Sequence, residues 1–356
     1  MKKTSNPMRL FTIQAVCILS GMLGISGIWI THVTPQRSDA ILTTKNIVTL
    51  LAILSLISFL WLVVRLANKF NDLSRKVKSL ATFLLFGMIG AYAVVLLFVV
   101  LFQDAFIATN SIVFQPKTMS PDVAKLLVTS NVEELNIVTT EHIHLKGWLV
   151  QNNSGNRSPL LIYFGGSSQE VSNMIPYFEK LDGWSIALVN YRGYGMSEGS
   201  PSEEVLFQDA TLIYDTLVER EDIDKTKIAV MGWSLGTGVA VQLSDQRAVD
   251  GTILVSPFDS WAHMFQSRDF PFVPLLLIKE RYFIFNSIGR APSIRSSLLC
   301  LVGSEDNIIH PALSEELVRH WGGEDKLVVY QGANHGLLFQ ENSSWDDIAN
   351  FLEDME

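Results

Sequence analysis

Residues 232–236 read Gly-Trp-Ser-Leu-Gly, a G-x-S-x-G that follows the apolar run KIAVM and leads into TGVAVQL. That order predicts strand, tight turn and helix, and such a turn lifts a serine hydroxyl clear of the backbone at the top of a sheet. Glycines suit positions 232 and 236 because a Cβ there would collide with the neighbouring strand and helix. The chemistry this points to is nucleophilic attack by Ser234. Composition alone, with 23 glycines in 356 residues, yields a bare G-x-S-x-G on the order of once in ten such chains, so the strand before and the helix after carry the weight.

A serine hydroxyl is a poor nucleophile at neutral pH and needs a histidine base, itself oriented by an acid. Both follow in the sequence. SSLLCLVGSEDNIIHP predicts a buried strand over Ser297–Val302 and a turn bearing Glu305 and Asp306, before Pro311 opens a helix. DKLVVYQGANHGLLF then gives another β-branched strand, a Gly-Ala-Asn turn and His335. Loops at the carboxyl ends of strands are where an α/β sheet collects its chemistry. Asp306 is the expected acid, with Glu305 beside it and Asp259, in SPFDS one strand earlier, as alternatives. Of the seven histidines, His335 alone sits in a glycine-bracketed turn after a late strand. His142 and His144 alternate and are expected on one face of an early strand. His263, His310 and His320 follow a strand or flank a helix, where structural roles prevail.

A tetrahedral intermediate also needs N–H donors for its oxyanion, one from the residue after the nucleophile and one from the loop after the third strand. Leu235 supplies the first, and Gly166 or Ser167, in YFGGSSQE, the second. The chain order Ser234, Asp306, His335 is that of α/β hydrolases. These motifs, with YFGGSSQEVSNM, SPFDS and above all NYRGYGMSEGSPSEE, resemble the membrane-tethered α/β-hydrolase-domain proteins over roughly Val132 to Met355. That family includes lysophospholipases, acylglycerol lipases and protein depalmitoylases. The resemblance implies that Tyr191–Glu203 forms the turn after the fourth strand and packs beside the active site, with Arg192 and Tyr194 as supports. Many relatives begin the oxyanion loop with His-Gly, whereas here Phe164 precedes Gly165, which changes what braces the donors.

The elements that must position these residues alternate as strands and amphipathic helices, the pattern of an α/β-hydrolase fold with a mostly parallel sheet and helices on both faces. ELNIVTTEHIHLKGWLVQN opens it as an antiparallel hairpin. PLLIYF, WSIALVNY, KIAVMGW, GTILVSP, SSLLCLVG and KLVVYQG follow as six strands. Residues 132–356 are enough for one domain with a single large core. Residues 103–131, with Pro116 and Pro121 and little periodicity, are expected to be a linker. Trp261–Ser293, containing FPFVPLLLIKERYFIF, occupies the place of a cap and is expected either to pack on the sheet or to wall an acyl site, kinked by Pro271 and Pro274.

Composition places a membrane domain in front. The chain is 48% hydrophobic and 18% charged, and the apolar excess lies in residues 1–102. Three nearly uncharged stretches, about 10–31, 47–64 and 80–102, each approach the ~20 residues a helix needs to cross a bilayer. Transmembrane helices are the expectation, the first being long for a cleaved signal and lacking an A-x-A site. Of 27 Lys+Arg and 36 Asp+Glu, ten and two fall in residues 1–102, leaving 17 and 34 after them. So acidic a globular portion argues against nucleic acid as a partner. Arg65, Lys69, Arg75, Lys76 and Lys78 between the second and third stretches place that loop in the cytoplasm by the positive-inside tendency. Three crossings then put the domain outside, on the periplasmic side of a bacterial inner membrane. Cys300 is the one cysteine in the domain, so no disulfide forms within it.

The expectation is therefore a membrane-anchored serine hydrolase acting on an ester or thioester, with a lipid or acylated substrate and neither metal nor organic cofactor. A peptidase using the same triad and a noncatalytic module that kept the fold are the alternatives. The second of these would be expected to show a broken triad.

Overall fold

The computed structural model describes residues 113–151, 157–178, 181–269 and 284–355, with Leu84, Gly87, Gly90 and Ala91. The chain divides into two compact units, Met1–Val95 and Leu96–Glu356. The four isolated residues are helical; the rest of the three stretches expected to cross a membrane lies outside the described residues, as do Pro271 and Pro274. Among the described residues no helix is long and apolar enough to cross a membrane.

The second unit is built on an eight-stranded sheet in the order β1-β2-β4-β3-β5-β6-β7-β8. β1 (Val132–Val138) and β2 (His144–Val150) form the opening antiparallel hairpin, and β2 pairs antiparallel with β4 (Ser185–Val189). From there β3 (Ser158–Phe164), β5 (Ile223–Trp233), β6 (Gly251–Val255), β7 (Ser297–Gly303) and β8 (Asp325–Tyr330) run parallel. His142 departs from the expected alternation: it lies in the hairpin turn with φ 62°, where its N–H donates to the Thr139 carbonyl. A turn closed by that bond holds one histidine off the strand that the other begins.

Both faces of the sheet are covered, so the central strands are continuous apolar runs with alternate residues entering two cores. Leu160, Ile162 and Phe164 of β3 enter one core, with Val230, Leu254 and Cys300. Leu161 and Tyr163 enter the other, with Met231, Ile253 and Leu299. The helices α3 (Glu203–Val218), α4 (Leu235–Gln246) and α7 (Pro311–Arg319) cover the first face through Ile213, Val239 and Leu317. The helices α2 (Ile175–Phe178) and α8 (Asn342–Glu353) cover the second through Phe178, Trp345 and Ile348. Between β6 and β7 the chain carries two further helices, α5 (Trp261–Asp269) and α6 (Ser287–Arg290). Each fully buried Leu, Ile or Phe contributes roughly 1.5–3 kcal/mol through removal from water. Local signals set the helix starts: Ser202 caps α3 ahead of Glu203 and Glu204, and Pro311 opens α7.

The expected linker contains a short helix, α1 (Pro121–Leu127), and before it a strap bound to the domain. Val113 and Phe114 are buried. The Gln115 N–H donates to the Ser167 carbonyl at 2.9 Å, the Met119 N–H to the Gly195 carbonyl, and the Gly195 N–H to the Lys117 carbonyl. A segment without periodicity was legible only as a connection because its bonds run to residues far along the chain.

Strand order locates the site. From β3 the chain passes to β4 on one side and then to β5 on the other, so the order of strand addition reverses between the parallel neighbours β3 and β5. A crevice opens outside the carboxyl ends of strands at such a switch point. The loop after β3 carries Gly165–Ser168, and the turn after β5 carries Ser234.

Candidate active site

Ser234 joins β5 to α4 with φ 53° and ψ −117°, a strained conformation for a side-chain-bearing residue. The flanking glycines make the turn possible. A Cβ on Gly232 would lie 2.3 Å from the Gly236 carbonyl oxygen, and one on Gly236 would lie 2.0 Å from that of Phe164. Gly236→Ala must therefore push β3 and its loop away from the turn. It is expected to lower kcat by about 10²-fold, the scale of a ~1 Å misplacement of reacting groups, and to depress the melting temperature, overpacking costing about 1–3 kcal/mol. Wild-type turnover and melting in that variant would contradict this geometry.

The three residues expected to act together are brought together. His335 Nδ1 lies 2.8 Å from Asp306 Oδ2, and His335 Nε2 lies 2.9 Å from Ser234 Oγ. A carboxylate only accepts, so Nδ1–H donates to Asp306; Nε2 is then the acceptor of the serine O–H. Exposure is graded along the chain of bonds: the Asp306 side chain is 0% exposed and that of His335 11%, while Ser234 is half-buried. Burial pushes the Asp306 pKa up, but the bond and charge of His335 and the N–H groups of Ile309 and Ile308 outweigh it, and the pKa lies below the ordinary aspartate value. The acid therefore stays ionised at neutral pH. Its other oxygen, Oδ1, accepts both isoleucine N–H bonds at 2.9 Å, which fixes the carboxylate.

Neither alternative acid reaches the histidine. Glu305 is exposed, and its backbone N–H donates to the Ala333 carbonyl at 3.0 Å. That bond, with Gly303 packed so closely that a Cβ would sit 2.3 Å from the same carbonyl, ties the acid turn to the loop of His335. Asp259, just ahead of α5, is buried and engages His263 in the first turn of that helix, and the bond to Asp259 raises the histidine pKa. His310 and His320 cap the two ends of α7. Trp233, the unassigned position of G-x-S-x-G, lays its ring 5.7 Å from that of His335 and walls one side.

The loop expected to bind an oxyanion lies against the turn. A Cβ on Gly166 would lie 2.9 Å from the Trp233 ring and 3.6 Å from Ser234 Cβ. Leu235 is the first residue of α4, so its N–H has no intrahelical acceptor. The Y-R-G-Y-G segment braces the loop from behind: the Tyr191 hydroxyl donates to the Gly165 carbonyl at 2.9 Å and that of Tyr194 to the Ser167 carbonyl at 2.6 Å. Burial pushes both phenols up, Tyr194 to about 12, so both remain donors at neutral pH. Arg192 makes a bidentate fork to Asp209, both nearly buried, and reaches Glu141 at 2.5 Å. The fork pins the segment to α3. Sequence reasoning missed Gln115, which binds this loop through its backbone N–H, and Gln169, which binds it through its side-chain oxygen, because neither leaves a periodic or motif signal.

Among the described residues no three His, Cys, Asp or Glu side chains converge as metal ligands. What the arrangement offers is a hydroxyl beside an imidazole acceptor, a buried carboxylate behind it and backbone N–H groups alongside.

Comparison with known proteins agrees with the fold. Residues 163–284 match the family model described as the alpha/beta hydrolase fold. An uncharacterized protein of Mycobacterium tuberculosis is 34% identical over 202 residues, covering 56% of this chain and 70% of that protein. An uncharacterized membrane protein of Saccharomyces cerevisiae is 30% identical over 228 residues, 62% of this chain and 79% of its own length. Among solved structures, an esterase of Pyrococcus furiosus superposes with a TM-score of 0.55 at 18% identity, over 68% of this chain and all of that one. With its sheet order, its strained serine turn and these relatives, the chain belongs to the α/β-hydrolase-domain family.

Proposed function

We propose that the protein is a membrane-anchored serine hydrolase that cleaves an ester or thioester through an acyl-enzyme. The observation that carries this is the continuous hydrogen-bond chain Ser234–His335–Asp306 at the topological switch point. His335 takes the hydroxyl proton as Ser234 attacks the carbonyl carbon, then returns it to the leaving alcohol or thiol; water enters by the same route in reverse to release the acid. Asp306 holds the imidazole and stabilises its cationic form. Leu235 N–H and a second donor from Gly166 or Ser167 receive the developing oxyanion.

A lipid or acylated substrate fits an anchor that holds the domain where such molecules concentrate. The anchor is the apolar stretches at about 10–31, 47–64 and 80–102, and the similarity to a protein named as a membrane protein supports it. The test is fluorophosphonate labelling of membranes carrying the full chain, followed by a panel of acyl esters, thioesters and aminopeptide substrates. Labelling with turnover of esters or thioesters is expected; turnover of peptides alone would overturn the substrate class.

The positive-inside tendency of the basic loop Arg65–Lys78 supports a domain on the outer face. Protease added to intact spheroplasts is expected to digest the region around Ser234. Protection until lysis would reverse the orientation.

A further inference from the structure

The loop after β3 has more hydrogen-bonding constraint than its glycines suggest. Gln169, itself buried, turns back so that its side-chain oxygen accepts the Gly166 N–H at 3.1 Å and the Tyr163 hydroxyl at 2.8 Å. Its amide nitrogen donates to Asn173 at 3.2 Å, which fixes which end of the amide faces the loop. Gly165 makes room for this: a Cβ there would lie 2.8 Å from the same Gln169 oxygen. The loop carbonyls are also taken, that of Gly165 by the Tyr191 hydroxyl, and that of Ser167 by both the Tyr194 hydroxyl and the Gln115 N–H. Among the described residues the Ser167 N–H donates to no protein acceptor. An oxyanion needs N–H groups that are fixed in place and not already bonded.

We propose that Gln169 is a positioning residue: by holding the Gly166 N–H it sets the loop so that the Ser167 N–H, with that of Leu235, receives the oxyanion. This rests on the proposed acyl transfer at Ser234 and chooses between the two loop donors that reading leaves open. Withdrawing the Gln169 oxygen frees the Gly166 N–H and lets the loop rotate, which misaligns the donor and slows formation of the tetrahedral intermediate while leaving ground-state binding nearly untouched. The signature is a loss in kcat without a matching rise in KM.

The test uses the full chain in membranes or detergent, with a short acyl ester and a fluorophosphonate as probes. Gln169→Met keeps the length of the side chain and removes the acceptor. It is expected to lower kcat and the labelling rate constant by about 10²-fold, with KM within about threefold of wild type. Gln169→Glu, which keeps the acceptor oxygen, is expected to recover most of that loss. Because Gln169→Met leaves the buried Tyr163 hydroxyl without a partner, the double variant Tyr163→Phe/Gln169→Met removes that cost to folding; its melting temperature should return toward wild type while kcat stays low. Wild-type kcat in Gln169→Met would overturn the proposal. So would a gain in kcat, which would identify the freed Gly166 N–H as the donor, and so would recovery of kcat in step with melting temperature in the double variant, the mark of a purely structural role. Failure of the underlying reading is separate: wild-type protein would then resist the fluorophosphonate.

Discussion

Ser234→Ala is expected to abolish ester hydrolysis and fluorophosphonate labelling while leaving the fold intact. The hydroxyl makes one side-chain hydrogen bond, to His335, and is half-buried, so its removal takes away chemistry and little packing. Where a nucleophile works as part of a triad, losing it lowers kcat by about 10⁶-fold, the remaining acceleration coming from oxyanion donors and binding. Alanine accepts the strained φ of 53° no better and no worse than serine, so stability should change by less than about 0.5 kcal/mol. Labelling and turnover are read together with a thermal melt of the full chain. Turnover at the wild-type rate with a normal melt would remove Ser234 from the mechanism and with it the acyl-enzyme.

The fold was open to reading from sequence because six of its strands are short apolar runs and the other two an alternating hairpin, which together became the eight strands of the sheet. A buried parallel strand shows itself by having no polar face, which is a local property. The serine turn was legible for a similar reason: its two glycines meet backbone atoms at 2.0–2.3 Å, so the constraint is written at fixed offsets from the nucleophile. The crossing of β4 to the far side of β3 leaves no such trace, since order in a sheet is decided by long-range packing. The acid was ambiguous because Glu305 and Asp306 are adjacent on one turn and equally spaced from everything else; only the direction of each side chain separates the exposed one from the buried one. Gln115 and Gln169 were invisible for a further reason. Each contributes one hydrogen bond or two to the loop and the strand before it, and a glutamine in a loop looks the same whether or not it does so.

Asp306→Asn is expected to lower kcat by about 10⁴-fold with the fold retained, because the substitution changes the histidine tautomer and leaves its position unchanged. The structure fixes how the amide must sit. Oδ1 accepts the N–H groups of Ile308 and Ile309, each at 2.9 Å, and an amide nitrogen turned toward them would set donor against donor. The substituted amide therefore keeps its oxygen on the isoleucines and presents its NH₂ to His335 Nδ1. That nitrogen must then accept, which moves the imidazole proton to Nε2, the atom that has to take the serine proton. Ser234 then faces an N–H and has no base. Glu305→Gln, on the neighbouring exposed side chain, changes none of these bonds and should stay within a few-fold of wild type, surface substitutions being worth about 0.5 kcal/mol or less. The comparison is made on kcat and on the fluorophosphonate labelling rate, with the protonated nitrogen of His335 read by ¹⁵N chemical shift. A large loss in Glu305→Gln with near-normal turnover in Asp306→Asn would assign the acid to the wrong residue, and loss of turnover without the shift of the proton to Nε2 would refute the tautomer argument even if Asp306 proved essential.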